Sequence, residues 1–168
     1  VVVRVQEIET VNQAGLAKVI DGDSLELNGE RIRLEGIDAP ELDQTCLRDG
    51  QRLPCGQEAR RRLRELTGST RLSCKGWQRD KYDRLLGVCE ASGSEVNREM
   101  VRSGWALAYG AYRSEEGEAR RAKLGLWAGE FERPQEFRRM KGDVLDAPHD
   151  LWRLIMEYMR RISGINGR

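Results

Sequence analysis

Apolar and polar positions alternate most cleanly near the start of the chain. Leu25 and Leu27 alternate with Ser24 and Glu26, and residues 15–20 share this character, so strands are expected over 15–20 and 23–27. Asn28-Gly29 then predicts a two-residue hairpin turn, whose central positions both need positive φ. The return strand, Arg31-Ile32-Arg33-Leu34-Glu35, sends Ile32 and Leu34 inward and its charges to the other face. Residues 37–55, with Pro40 and Pro54, read as a long irregular loop. The period then changes: Ala59, Leu63 and Leu66 form the stripe of a helix over 57–66. Two more strands are expected over 70–75 and 84–90. Ser94 is placed to cap a helix through Met100 and Val101 that stops at Gly104, and Ser114 to cap another that stops near Gly125. Residues 128–148 are polar and broken by Pro134, Gly142 and Pro148. A last segment puts Leu151, Trp152, Ile155, Met156, Met159 and Ile162 on one helical face, most simply docked on its own domain.

The order of strands, helix, strands and helices points to an α+β fold built on a small β-barrel. At 168 residues the chain is long enough for one well-packed domain. No run approaches the about 18 apolar residues of a membrane span. No signal peptide is legible at the start, and without an initiator Met the chain is compatible with a removed targeting segment.

Charge narrows the possible functions. The net charge of +1 divides into −4 over residues 1–30, +3 over 31–90 and +2 over the remainder. That is no broad basic surface of the kind that holds duplex DNA by counterion release. Any phosphate recognition must come from a few placed arginines, with or without a metal. The "RRRLR" run at 60–64 would spread its charges around a solvated helix face. Trp77, Tyr109 and Tyr112 could stack bases, although packing accounts for each of them as well.

Four cysteines occur without a CxxC spacing. Cys74 and Cys89 flank the turn-like segment 77–83 symmetrically, and Cys46 and Cys55 enclose a short polar loop. Two short-range disulfides are the preferred reading, which implies an oxidising compartment. A structural zinc site and four separate buried thiols are the alternatives.

The chemistry concentrates in "VIDGDSLELNGERIRLEGIDAPE", where seven carboxylates and two arginines share twenty-three residues. Clustered Asp and Glu supply the hard oxygen ligands that Ca²⁺ prefers, and arginine offers a fork of donors that matches phosphate. Together they describe a phosphodiester site. The single histidine, His149, lies far along the chain, which makes Glu41 the natural candidate base. In an ideal hairpin, however, Asp23 falls opposite Leu34 on the apolar pleat, so the strand must bend near Asp21-Gly22 to bring it into such a site. The plain alternative gives every charge a surface role, with Glu26 and Arg31 as a cross-strand pair.

"VIDGDS", "RIRLEGIDAPE" and "RDKYDRLLGVC", followed by "CGQEA", "VNREMVRSGWA" and "EARRAKLGLW", resemble in order and rough spacing the thermonuclease, or staphylococcal-nuclease-like, family. The likeness covers roughly residues 15–128. It implies a five-stranded OB-fold β-barrel with three packed helices over 1–128, followed by a linker and C-terminal amphipathic helix over 129–168. It implies a Ca²⁺-dependent nuclease that cleaves DNA or RNA at the 5′ oxygen and leaves 3′-phosphates. Carried over, it makes Asp23 and Asp38 metal ligands with the carbonyl of Ala39, and Asp21 an outer carboxylate. Glu41 would activate water, Arg33 and Arg84 would clamp the phosphate, and Lys81 and Tyr82 would hold a terminal phosphate. Ala39 stands where the best-known members have threonine, which is harmless if only its carbonyl binds. Asp83 stands where glycine is usual, so it would either strain a loop needing positive φ or pair with Arg84 and weaken its hold. The expectation is a secreted or periplasmic monomer acting on single-stranded DNA or RNA. The competing class is a non-catalytic OB-fold module that binds nucleic acid or protein; an accessory role in polysaccharide or envelope assembly is a third.

Overall fold

The computed structural model describes residues 9–142. The helix expected over 149–162, with His149, lies outside the described residues. In chain order the elements begin with β1 (Val11–Gly15), β2 (Lys18–Val19), β3 (Ser24–Leu27), β4 (Glu30–Leu34) and β5 (Ile37–Asp38). They continue with β6 (Cys46–Arg48), β7 (Gln51–Leu53), α1 (Cys55–Thr67), β8 (Leu72–Arg79), β9 (Leu85–Ala91) and β10 (Ser94–Glu95). The last are α2 (Val96–Arg102), β11 (Leu107–Ala108), α3 (Arg113–Arg121), a 3₁₀ turn (Gly125–Ala128) and α4 (Pro134–Met140).

The main sheet runs β1-β8-β9-β4-β3-β2, with β10 beside β9. Its pairs are antiparallel except β4–β9, which is parallel. Asn28 (φ 52°) and Gly29 (φ 81°) make the β3–β4 turn that their sequence demands. The turn also reaches β1, where Asn28 Nδ2 donates to the carbonyl of Ala14 at 3.1 Å. Ser24 pairs with Arg33 and Glu26 with Arg31, the register expected from the turn. Leu25, Leu27, Ile32 and Leu34 are buried on the concave face, where Ala59 and Leu63 of α1 and Met100 and Val101 of α2 cover them.

The α+β class holds, but the main sheet contains seven strand segments and the described residues four α-helices. The fourth helix is α4, in the stretch expected to be broken. Pro134 opens it, a position where its missing N–H costs nothing. The stretch 37–55 is less irregular than its prolines suggest: β5 pairs with β11, and β6 pairs with β7. Neither serine caps its helix. Ser94 lies in β10 and Glu95 precedes α2, while α3 starts at Arg113 after Tyr112 in the left-handed region.

Cys74 and Cys89 face each other across β8 and β9 and are bridged. Cys46, at the start of β6, is bridged to Cys55, the first residue of α1. The second bridge fixes the loop that carries Glu41 and Gln44 against the start of α1.

Candidate active site

Residues 21–23 leave the sheet between β2 and β3. The N–H groups of Ile20 and Asp21 both donate to the Ser24 carbonyl, at 2.9 and 3.3 Å, which closes a tight reversal. This is the bend that Asp23 needed: its carbonyl still takes the Leu34 N–H at 2.8 Å, but its side chain leaves the apolar pleat. Gly22 permits the reversal, since a Cβ there would lie 2.7 Å from Ala39 Cβ and 2.8 Å from Ala59 Cβ. The turn therefore presses between α1 and the segment after β5.

Asp23 Oδ2 accepts the Ala39 N–H at 2.9 Å and lies 3.5 Å from Arg33 Nη2. Arg33 projects from the polar face of β4 and its Nη2 also donates to Asp38 Oδ1 at 3.2 Å. Asp38 is the last residue of β5, whose pairing with β11 fixes its direction. Burial pushes the Asp38 carboxyl above its ordinary pKa, opposed by the guanidiniums of Arg138 and Arg33. Asp21 is pushed up to about 6, first by burial and then by repulsion from Asp23. Asp21, Asp23, Asp38, Ala39 and Arg33 are thus brought together. Among the described residues no three His, Cys, Asp or Glu side chains form a cage for a metal by themselves.

Glu41 sits at the rim, with its side chain 37% exposed. Two features hold its loop. The buried Gln44 accepts the Glu41 N–H on Oε1 at 3.2 Å and donates through Nε2 to the Glu132 carbonyl at 2.8 Å. Gly56, in the first turn of α1, lies directly under the Glu41 carbonyl.

Arg84 approaches from the β8–β9 connection. Asp80 accepts its Nε at 2.7 Å and its backbone N–H at 3.0 Å, and also takes the Tyr82 N–H at 2.9 Å. Arg84 Nη1 is 3.4 Å from Ser24 Oγ, which in turn donates to Asp23 Oδ1 at 3.1 Å. A polar chain thus joins Arg84 to the carboxylates. Asp83 does take positive φ, 61°, which aspartate tolerates better than most residues. It does not divert Arg84: its carboxylate faces Arg79 at 3.7 Å, and Asp80 is the partner of Arg84. Tyr82 is exposed, with the Lys81 ammonium 4.9 Å and the Arg84 guanidinium 5.3 Å from its ring centre.

The Asp80 turn has a testable pH signature. Burial raises its pKa, but the backbone N–H and guanidinium of Arg84 and the N–H of Tyr82 outweigh it and hold the carboxyl below its ordinary value. A depressed folded pKa adds stability that is present above the unfolded value, about 3.9, and is lost as pH falls through the folded one. Asp80→Asn is expected to cost about 2 kcal/mol at pH 7 and to flatten the acid limb below pH 4, as read by urea unfolding. An unchanged acid limb would refute this assignment.

Three participants were missed. Asp80 left a faint signal, an Asp two residues before Tyr82 and four before Arg84 in a turn segment. Gln44 and Arg138 left none, because their partners are distant in sequence. Arg138 Nη1 donates to Asp38 Oδ1 at 3.0 Å and to Glu41 Oε1 at 2.9 Å, and its Nη2 to Asp38 Oδ2 at 3.3 Å. The basic run on α1 divides: Arg61 and Arg62 pair with Glu58 and Glu65, whereas Arg60 and Arg64 line a cleft of about 340 Å³ with Lys18.

A profile for the family described as Staphylococcal nuclease homologue matches residues 31–129. Succinoglycan biosynthesis protein ExoI of Rhizobium meliloti is 37% identical over 126 residues, 70% of this chain and 66% of its own length, just under two thirds. An Escherichia coli protein named Uncharacterized endonuclease is 34% identical over 124 residues, 67% of this chain and 75% of its own. Staphylococcal-like nuclease CAN1 of Arabidopsis thaliana is 36% identical over 118 residues, 66% of this chain but 34% of its own. The carboxylate turn, the Arg33 face of β4 and the profile match over most of the described residues lead to one assignment: this chain belongs to the staphylococcal nuclease homologue family.

Proposed function

We propose that this protein is a nuclease that hydrolyses phosphodiester bonds of single-stranded DNA or RNA with the help of Ca²⁺. The observation that supports this best is the convergence of Asp23, Asp38 and Arg33 from separate elements, with Glu41 beside them and Arg84 linked to them through Ser24. A surface role for each charge would not bury Asp23 and Asp38 side by side on one guanidinium.

Asp23 and Asp38, with the carbonyl of Ala39 as a third oxygen, are the hard donors a Ca²⁺ ion takes, and a bound ion would share these carboxylates with the guanidiniums of Arg33 and Arg138 that hold them in this structure. When bound, the ion would neutralise phosphate charge and help to orient water. The protein's own groups do the rest. Glu41 accepts from Arg138 on Oε1, and its other carboxylate oxygen takes the proton of the attacking water. Arg33 and Arg84 hold the charge that builds on the phosphoryl oxygens, Arg84 fixed for that purpose by Asp80. The P–O bond to the 5′ oxygen breaks, leaving a 3′-phosphate. Lys81 and Tyr82, next to Arg84, are suited to a terminal phosphate on the same strand.

The two disulfides support an oxidising compartment, secreted or periplasmic, and no helix among the described residues is long and apolar enough to cross a membrane. We take the protein to act as a monomer. The test is digestion of single-stranded DNA and RNA with Ca²⁺, then with excess chelator. Cutting that stops on chelation and yields 3′-phosphate ends is expected. Strand binding without cutting at any Ca²⁺ concentration would instead make the protein a binding module.

A further inference from the structure

We propose that Arg138 is a positioning residue for Glu41: it holds one carboxylate oxygen so that the other faces the attacking water. The inference rests on the nuclease reading above, but concerns a residue outside the matched segment 31–129.

The segments on either side of α4 are tied to the chain around Glu41 by contacts that do not involve Arg138. Leu47 and Glu130 exchange two backbone hydrogen bonds, each 2.8 Å. Gln44 ties the Glu132 carbonyl at 2.8 Å, and Lys141 pairs with Asp43. Arg138 is therefore not needed as the staple of α4. Its contacts include the reacting cluster: a two-point hold on Asp38, and Nη1 shared with Glu41 Oε1. Its side chain is only 14% exposed, so the guanidinium is confined there.

Glu41 is consequently fixed at both ends by one strap. Gln44, itself tied to the residues before α4, holds the backbone N–H, and Arg138 holds Oε1. A rim glutamate without that second hold would sample several rotamers. A misplacement of about 1 Å can cost about 10²-fold in rate. The planar fork suits the task, since one guanidinium spans two carboxylates in a fixed geometry that an ammonium cannot reproduce.

The experiment is a double-mutant cycle in the full chain with saturating Ca²⁺. Arg138→Gln is expected to lower kcat about 10–100-fold with KM changed less than about twofold and a melting temperature within a few degrees. In a Glu41→Gln background the same change should cost clearly less, by at least about threefold, because the group it orients no longer acts as a base; the loss that remains reports its hold on Asp38. Arg138→Lys, which keeps the charge without the fork, should also lose kcat while staying folded, and it serves if Arg138→Gln unfolds. Wild-type rates in both Arg138 variants would overturn the proposal, and so would equal losses in both backgrounds, the mark of a general structural role. If the wild-type chain cuts nothing, the nuclease reading fails and takes this inference with it; normal cutting by the Arg138 variants removes this inference alone.

Discussion

Glu41→Gln is expected to lower kcat by about 10²–10⁴-fold on single-stranded substrate, the range for loss of a positioned general base. The substitution keeps size and an acceptor oxygen but removes the charge and the ability to take a proton. Because the side chain is 37% exposed, removing its charge should change stability by no more than about 1 kcal/mol. A melting temperature close to wild type with a collapsed kcat would therefore place the loss in chemistry. Cutting at the wild-type rate would remove Glu41 from the mechanism and leave the proton to another acceptor.

Gly56→Ala should instead break the scaffold beneath Glu41. A Cβ at this position would lie 1.8 Å from the Glu41 carbonyl oxygen and 2.7 Å from the carbonyl carbons of Glu41 and Leu42. These are backbone atoms, held in part by the Gly56 N–H to Gln44 carbonyl bond at 3.0 Å, and they cannot swing aside as a side-chain tip would. Two effects of opposite sign compete. Helix propensity favours alanine by about 1 kcal/mol, while overpacking costs about 1–3 kcal/mol and more where backbone must move. At this distance the clash wins, and a net loss of about 2 kcal/mol or more is expected from urea unfolding, with kcat reduced because the Glu41 loop shifts. Gly117→Ala in α3 is the control. Its Cβ would meet only the Arg121 guanidinium tip at 3.3 Å, so the propensity gain of about 0.5–1 kcal/mol should appear. Two glycine changes of opposite sign would separate helix propensity from contact with the site loop.

The hairpin was legible because Asn28-Gly29 and the flanking alternation are local signals, and both meet their φ and register requirements. The cysteine pairing was legible for the same reason, since a symmetric placement about a turn sets residues opposite each other. The serine caps were misread because capping depends on the entry angle of the chain. In both places tertiary pairing decided it: Ser94 is drawn into β10, and α3 begins a residue earlier than its serine. The expected contest over Asp83 and Arg84 was resolved by Asp80, whose carboxylate reaches back over the turn.

Local periodicity and turn chemistry are short-range properties, and the chain spells them out directly: the β3–β4 hairpin, the α1 stripe, the crowding of acids and arginines in one stretch. Which carboxylates share a guanidinium is a different matter. Arg33 meets Asp23 and Asp38, but Arg84 comes from about fifty residues beyond Arg33 and Arg138 from another fifty or so, and no local pattern records their arrival. Such meetings depend on how the sheet curls and where α4 docks. Those are cooperative outcomes of packing, and only the folded chain brings its distant charges within hydrogen-bonding reach.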